Sequence, residues 1–355
     1  MNRHFTYDLD RTWEENCERG PQFADDGEPL TVPTPPRKSF LGLPVSSRLG
    51  IAAGLLLNSR WVLPYAQRGF DLVTYKTVRT VARPCYPVPN WVFVEDAAPP
   101  DGPVVVTNKL PDDPAQISSS VCFGMPSVEP SVWREDVRRT RAGLADGQML
   151  IVSVVATPSA TPSLEDIAAD FACCAASAAE AGAHVVEANL SCPNVCSAEG
   201  TLYLDIEASR TVVRSIRDAI GRTPLLLKIG TFASAEAMRK FLRAADGLAD
   251  GVTLVNCISR PVLRPDGEPA FGPRFRMAGV LGRAIHAPSV AAVRALKQCV
   301  REDELRLQVA AVGGASTVAD LADFFDAGAD AVLCGSSPMY LPNLAIHAKR
   351  AHPEW

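Results

Sequence analysis

The feature that most constrains the fold is a regular alternation of short apolar runs with longer amphipathic segments, which begins near residue 49 and continues to the end of the chain. Short apolar runs are typical of buried strands, and a 3.6-residue period is typical of amphipathic helices. We assign eight strands, to residues 49–54, 71–77, 149–155, 184–190, 225–230, 251–257, 307–314 and 331–337. Strands that are apolar on both faces, with helices between them, indicate a parallel sheet covered by helices.

Three of the intervening segments carry clear helix signals, at residues 163–182, 234–247 and 316–328. The first has a serine at its start, acidic residues in its first turn and a glycine at its end, as helix capping requires. Eight such units predict an α/β fold of the (β/α)8 TIM-barrel type. A doubly wound open sheet is the alternative, but no G-x-G-x-x-G motif follows the first strand.

The chain divides into an N-terminal extension and one barrel domain. Residues 1–40 are polar and end in a proline-rich stretch that disfavours a helix, so we assign them to the extension and residues 41–355 to a single barrel. Two long interruptions, 78–132 and 258–287, follow the second and sixth strands. Loops at the carboxyl ends of barrel strands build the active site, so we interpret both as walls of a substrate pocket.

Composition excludes several functions. The net charge is -5 and no basic block occurs, which argues against a nucleic-acid partner. No apolar run approaches the roughly 18 residues of a spanning helix, and the first residues lack a signal-peptide pattern, so we expect a cytoplasmic protein with no membrane partner. The five histidines lie outside metal-ligand spacing, so we expect no metal site, and a small molecule as the partner.

Polar residues close most of the predicted strands. They are Lys76, Ser153, Asn189, Lys228, Asn256, the pair Gly313 and Gly314, and the pair Gly335 and Ser336. A buried lysine is costly unless it is paired, and each one taken alone fits a structural ion pair equally well. Together, Lys76 and Lys228 predict an anionic ligand over the mouth of the barrel.

Glycine-rich turns follow the seventh and eighth strands, at residues 312–316 and 334–337. Glycines let backbone N–H groups approach an anion, and barrels commonly bind phosphate at this position. A phosphate at one edge and two lysines across the mouth suit a phosphorylated cofactor with an electron-rich ring. Flavin mononucleotide (FMN) fits that description.

The segment from Asn189 to Asn194 contains a cysteine, Cys192, just beyond the fourth strand. A small buried thiol is the simplest interpretation of most cysteines in this chain. A thiol at a barrel mouth can instead act as nucleophile or general base if its neighbours favour the thiolate. The flanking asparagines suit a polar heterocycle better than a metal or a phosphate.

The sequence Asn-Leu-Ser-Cys-Pro-Asn resembles the signature of class 1 dihydroorotate dehydrogenases, and the likeness covers roughly residues 40 to 340. Further similar motifs, in the same order, lie at 49–54, 75–77, 225–230, 255–257, 279–285, 312–316 and 334–337. The resemblance implies an FMN enzyme of pyrimidine metabolism, a homodimer, that oxidises or reduces a carbon–carbon bond beside a carbonyl of a small cyclic substrate. Cys192 would be the general base or acid, and the electron-transfer partner is unidentified.

The resemblance also implies a set of binding residues. FMN would be held by Ala53, Gly54, Lys76, Thr77, Ser153, Asn189, Lys228, Gly282, Gly313, Gly314, Gly335 and Ser336. The substrate would be held by Lys76, Asn189, Asn194 and Asn256.

One position departs from the class 1 pattern. Those enzymes carry an asparagine that contacts orotate three residues before a Gly-Leu/Met-Pro step, and Val121 stands there in this chain. We therefore expect dihydroorotate to be a poor substrate, and the true substrate to lack a polar group facing Val121. Replacement contacts, if present, are expected from Ser118, Ser119 or Ser120.

Two other functions stay open at this point. A flavin-free, phosphate-binding barrel isomerase or lyase would share the glycine turns, but would leave Asn189, Cys192 and Asn194 without a common purpose. A flavin-binding subunit or sensor without turnover would explain the loss of the asparagine at Val121, whereas retention of Cys192 and both lysines counts against it.

Overall fold

A computed structural model describes residues 4–24, 31–96, 102–157, 162–191 and 198–355. Its helices are α1 Trp13–Arg19, α2 Ser59–Ala66, α3 Pro130–Gly143, α4 Leu164–Glu180, α5 Ile206–Ile220, α6 Ala235–Ala245, α7 His286–Glu302, α8 Val318–Asp326 and α9 Leu344–Ala351. Its strands are β1 Lys38–Phe40, β2 Leu43–Val45, β3 Leu49–Ile51, β4 Leu72–Val78, β5 Trp91–Asp96, β6 Val104–Val106, β7 Ser118–Val121, β8 Met149–Val154, β9 Val185–Asn189, β10 Leu225–Lys228, β11 Gly251–Leu254, β12 Ile258–Leu263, β13 Met277–Gly282, β14 Gln308–Val312 and β15 Ala331–Cys334.

Eight parallel strands close into a barrel in the order β3, β4, β8, β9, β10, β11, β14, β15. Seven of them lie within a predicted strand segment, and β4 extends one residue beyond the predicted segment 71–77. Because β15 pairs with β3, with Val332 opposite Leu49, the sheet has no open edge. The TIM-barrel prediction is confirmed, and the open-sheet alternative is wrong.

Alternate residues of these strands fill the barrel. Leu72, Met149, Val185 and Leu226 form one inner cluster, which Phe40 and Val45 of the β1–β2 hairpin join. The hairpin therefore covers the end at which the strands begin. The opposite end, where the strands finish, stays free for a site.

The three predicted helices are present as α4, α6 and α8. Each begins after a hydroxyl-bearing N-cap, which is Ser163, Ser234 and Thr317 respectively. In α4 and α8 an aspartate three residues later completes a capping box. These caps fix the helix starts close to the positions that the sequence predicts.

The two long interruptions contain more structure than the predicted loops. Five of their strands close a second, smaller barrel in the order β12, β13, β7, β5, β6. Val94, Val104, Val262, Ala278 and Val280 pack inside it. Local patterns could not indicate this barrel, because its strands are short and pair across more than a hundred residues, as Gly279 does with Val121.

The N-terminal extension packs against the barrel domain and contains a helix that the sequence did not predict. Helix α1 has only seven residues, too few to display a helical period, and begins with a capping box between Thr12 and Glu15. Ahead of it, Tyr7 is buried and its ring lies 5.3 Å from that of Trp91 and 6.0 Å from that of Phe123.

Across the described part of the chain, no helix is both long enough and apolar enough to cross a bilayer.

Candidate active site

A pocket opens at the carboxyl ends of the barrel strands and collects most of the predicted site residues. Its lining includes Ala53, Gly54, Lys76, Thr77, Asn189, Lys228, Asn256, Gly282, Gly313, Gly314, Gly335 and Ser336. Ser153 lies just behind this lining, fully buried, with its Oγ 3.1 Å from Oγ1 of Thr77. Cys192 and Asn194, and the neighbouring Cys196, lie outside the described residues.

Two buried ammonium groups reach this pocket. Lys76 on β4 is 6% exposed and Lys228 on β10 is 3% exposed. Nζ of Lys228 donates to the carbonyl oxygen of Ala53 over 3.3 Å, and none of the described carboxylates forms an ion pair with it. The Lys228 ammonium is therefore buried without a carboxylate partner among the described residues, which is costly and favours an anionic or electron-rich ligand in the pocket.

The glycine turns give this pocket close access to backbone. Gly314 adopts φ 78°, and a Cβ there would lie 2.3 Å from the carbonyl oxygen of Gly282, so only glycine fits. At Gly54 and Gly335 a Cβ would meet no protein atom within 4 Å. Side chains at those two positions would project into free space in the pocket wall, and their absence leaves room for a ligand to contact the backbone.

The turn after β14 is fixed by a carboxylate that the sequence reasoning missed. Asp320, in the first turn of α8, accepts hydrogen bonds from the amides of Ser316 and Thr317, both over 2.9 Å. Arg283, which follows β13, donates to the other oxygen of Asp320 over 2.8 Å. The Thr317–Asp320 spacing is a capping-box signal, so the sequence could have indicated Asp320. Arg283 had no such local signal.

The opposite wall is apolar and comes mainly from the second barrel. Trp91, Val121, Phe123 and Leu281 line it. Val121 therefore lies at the pocket, as the sequence comparison with class 1 enzymes predicts. A replacement polar contact is not seen there, because the lining residues of the pocket do not include Ser118, Ser119 or Ser120. Ser118 accepts from the amide of Ala284 and Ser120 donates to the carbonyl of Gly279.

A buried arginine supports the loop that follows this wall, and the sequence reasoning missed it. Arg79, one residue beyond β4, is fully buried, and its Nε donates to the carbonyl oxygen of Met125 over 3.0 Å. Met125 has φ 53°, a conformation that is uncommon for a residue other than glycine. The arginine thus holds an irregular turn at the edge of the pocket. At the same edge, Sδ of Met125 lies 3.5 Å from Nδ2 of Asn189.

Two predicted asparagines meet at the start of the segment that leads to Cys192. Oδ1 of Asn189 accepts from the amide of Ser191 over 3.2 Å. Asn256 donates to the carbonyl oxygen of Ser191 and lies 3.4 Å from Oδ1 of Asn189. Ser191 is consequently tied to the pocket by both asparagines. The next residue in the chain is Cys192.

A further thiol lies at this pocket. Cys257, directly after Asn256, is part of the lining, and the sequence reasoning did not single it out. Cys85 and Cys334 are poorer candidates for a base, because burial raises the pKa of each thiol to about 12. Among the described thiols, Cys257 is thus the alternative to Cys192 as the candidate base.

Known proteins share this architecture and much of this sequence. The sequence profile described as dihydroorotate dehydrogenase matches residues 128–348. A dihydroorotate dehydrogenase of Dictyostelium discoideum is 30% identical over 363 residues, which cover 96% of this chain and 95% of that protein. A dihydroorotate dehydrogenase (quinone) of Clavibacter michiganensis is 28% identical and covers 85% of this chain and 80% of that protein.

Solved structures agree on the fold. The crystal structure of the Eimeria tenella DHODH in complex with ferulenol matches with a TM-score of 0.70 and 18% identity, covering 96% of this chain and 89% of that one. At this identity the likeness concerns the fold alone, and the sequence matches carry the family assignment. The chain therefore belongs to the dihydroorotate dehydrogenase family and is an oxidoreductase of that type.

Proposed function

We propose that this protein is an FMN-dependent oxidoreductase that removes or adds two hydrogens across a carbon–carbon bond beside a carbonyl of a small cyclic substrate. The observation that carries the proposal is the convergence of two buried ammonium groups, Lys76 and Lys228, with two glycine turns on one pocket. This combination suits a ligand that has both a phosphate and an electron-rich ring. The family assignment supports the same chemistry.

The residues present fit FMN. The turns at Gly313–Gly314 and Gly335–Ser336 would hold its phosphate, since backbone amides suit an anion and Gly335 lies beside open space. Lys76 and Lys228 would face its ring system, and the cofactor set is completed by Ala53, Gly54, Thr77, Ser153, Asn189 and Gly282. When bound, FMN would supply a hydride acceptor or donor at N5.

The chain itself would supply proton transfer and orientation. In the oxidative direction, the thiolate of Cys192 would take the proton from the carbon that the carbonyl acidifies, while the neighbouring carbon loses its hydride to the cofactor. Asn189, Asn194 and Asn256 would orient the ring by hydrogen bonds to its polar edge, together with Lys76. A positioned proton-transfer group typically contributes about 10² to 10⁴-fold.

The apolar second-barrel wall sets the substrate class. The curated relatives are named for dihydroorotate, so dihydroorotate and pyrimidine metabolism form the reference case. Val121 offers no hydrogen bond to a polar substituent, which favours a related cyclic carbonyl compound that lacks a polar group there. We also predict that the protein is a cytoplasmic homodimer. Gel filtration with light scattering tests the oligomeric state.

A flavin-free isomerase or lyase is less well supported than the flavin enzyme. Such a barrel would explain the glycine turns but not the two lysines across the pocket mouth. A flavoprotein without turnover would keep the lysines but would give the asparagines around Ser191 no substrate to orient. The absorption spectrum of the purified protein, with and without substrate, distinguishes these three functions.

The first expected outcome is that FMN copurifies with the protein. The purified protein should show a flavin absorption spectrum, and the released cofactor should be FMN by mass spectrometry. A cyclic carbonyl substrate should bleach this spectrum under anaerobic conditions. A colourless protein that takes up no FMN on reconstitution contradicts the proposal and favours the isomerase. A flavin that no substrate of this class bleaches favours the protein without turnover.

The role of Cys192 is tested by substitution. Cys192→Ala should retain FMN but slow substrate-dependent bleaching by about 10²-fold or more, because the proton acceptor is lost. Cys192→Ser should keep part of the rate, since class 2 relatives carry serine at the equivalent position. Cys173→Ala, on the exposed face of α4, is the matched control and should leave the rate unchanged. If Cys192→Ala bleaches at the wild-type rate and Cys257→Ala bleaches slowly, the base is Cys257.

A further inference from the structure

The interior of the large barrel holds a carboxylate beneath the pocket. Thr74, Ser153, Glu187 and Thr253 are all fully buried on the barrel strands. Barrel interiors are normally packed with branched apolar side chains, and a buried carboxylate is costly unless charges or hydrogen bonds offset its desolvation. Glu187 therefore requires a physical reason that packing does not supply.

The strand pattern shows where this side chain points. On β9, Glu187 alternates with Val185, which belongs to the inner cluster, and with Asn189, which lines the pocket. Its Oε2 accepts a hydrogen bond from Oγ1 of Thr253 over 2.8 Å. Thr253 lies on β11, two strands away, so this bond crosses the barrel interior in front of β10. The carboxylate thus lies inside the barrel, between its wall and the pocket floor.

The strand between them carries Lys228. The register pairs Lys228 with Asn189 on one side and with Thr253 on the other, so its side chain shares the inner face with Glu187. On β4, a register shift between Tyr75 and Val78 interrupts the alternation, but Lys76 lines the same pocket as Lys228. The described barrel strands thus bring two ammonium groups to the pocket and one carboxylate beneath it, and all three are buried.

The carboxylate is incompletely satisfied by the protein. Its second oxygen, Oε1, is buried and has no hydrogen-bond partner among the described residues. Oε2 accepts its hydrogen bond from Thr253, and no other side-chain contact to the carboxylate is seen among the described residues. The arrangement therefore places a carboxylate beneath the pocket without a close ion pair in the described part of the chain.

We propose that Glu187 is a positioning residue that limits the positive potential of Lys76 and Lys228 at the cofactor pocket. The inference rests on the proposed flavin function. Reduction adds negative charge to a flavin, so two ammonium groups alone would favour the reduced cofactor strongly. A carboxylate behind them opposes this effect and keeps the bound cofactor easier to reoxidise.

The test is the midpoint potential of the bound flavin, measured by anaerobic equilibration with a reference dye. Glu187→Gln keeps the size of the side chain and can still accept from Thr253, but removes the charge. Its equilibrium constant for flavin reduction should rise at least tenfold, which is a shift of about 30 mV for a two-electron couple. Glu187→Asp keeps the charge and should restore a potential near that of the wild type.

A second variant protects the test against misfolding. Thr253→Val removes the hydrogen bond that fixes the position of the Glu187 carboxylate, so its potential should move in the same direction as in Glu187→Gln, by a smaller amount. If Glu187→Gln does not fold, the comparison of Thr253→Val with the wild type decides the matter, and equal potentials would overturn the inference.

The failures of the two proposals are distinguishable. A flavin-loaded wild type and a flavin-loaded Glu187→Gln with equal potentials would refute the role of Glu187 and leave the proposed function intact. A wild-type protein that binds no flavin would refute the proposed function and this inference together.

Discussion

At the scale of single residues, Val121 is the position at which this chain differs most informatively from class 1 relatives. It lies on the pocket wall, and neighbouring serines do not reach the pocket to compensate for it. A substrate group left without its hydrogen-bond partner costs about 1 to 3 kcal/mol, or roughly fivefold to 150-fold in rate. Val121→Asn should therefore increase anaerobic bleaching by dihydroorotate by about that factor.

The control for this gain is Val132→Asn, which makes the same change on the exposed surface of α3. It should leave bleaching by dihydroorotate as slow as in the wild type. Wild-type bleaching by dihydroorotate at rates of about 1 to 10³ per second would contradict the prediction, because those are the rates of a working enzyme.

Residues at strand ends were predictable from the sequence, whereas residues that support loops were not. Lys76 and Lys228 end predicted parallel strands, and such ends must meet at one rim of a barrel. Arg79 lies close to Lys76 in sequence, but it donates a hydrogen bond to the carbonyl oxygen of Met125. Met125 belongs to a turn whose shape no local sequence pattern predicts. Cys257 ends the predicted sixth strand, but as a small apolar residue it carried no signal that distinguished it from a core cysteine.

At the scale of elements, the N-terminus of α8 combines a structural cap with the glycine turn that we propose to hold the cofactor. Oγ1 of Thr317 accepts from the amide of Asp320 over 3.0 Å, and Asp320 in turn holds the amides of Ser316 and Thr317. Thr317→Ala should lower the free energy of unfolding of the apoprotein by about 1 kcal/mol. It should also weaken FMN binding, because the turn after β14 loses part of its support.

A matched cap separates these two effects. Ser163 caps α4 in the same manner, with Oγ accepting from the amide of Asp166 over 3.1 Å, and it does not line the pocket. Ser163→Ala should cost similar stability in urea unfolding without changing the FMN dissociation constant. Equal losses of FMN affinity in both variants would mean that stability alone controls binding.

At the scale of the whole molecule, the N-terminal segment supports the pocket wall from behind. Tyr7 is 1% exposed and packs against Trp61 and against the two pocket residues Trp91 and Phe123. Tyr7→Ala should lower the free energy of unfolding by about 3 to 5 kcal/mol, as large aromatic-to-alanine changes do in cores. The same variant should raise KM, because both wall residues lose their backing.

Tyr7→Phe is the internal control for that prediction. The Tyr7 hydroxyl is buried without a hydrogen-bond partner among the described residues, so its removal should cost no stability. Urea denaturation and substrate titration of the two variants check both statements. A Tyr7→Ala protein as stable as the wild type would show that the extension is dispensable.

The large barrel could be predicted from sequence, because each strand and helix has its own local signature and parallel connection rules leave few arrangements. All eight barrel strands coincide with predicted segments, and only β4 extends beyond its segment, by one residue. The second barrel could not be predicted from sequence. Strand β7 consists of three serines and a valine, and its pairing partners are distant in the sequence. Its existence depends on contacts between distant parts of the chain.

The second barrel is built from both insertions, and this limits how the substrate specificity can be changed. Strands β5, β6 and β7 come from one insertion and β12 and β13 from the other, and they pair at Val121 with Gly279 and at Val104 with Val262. Neither insertion alone supplies a complete set of backbone partners. Transplanting one of them from a relative would leave strand edges unmatched and expose them to association with other chains. The two segments must therefore be engineered together as a single unit.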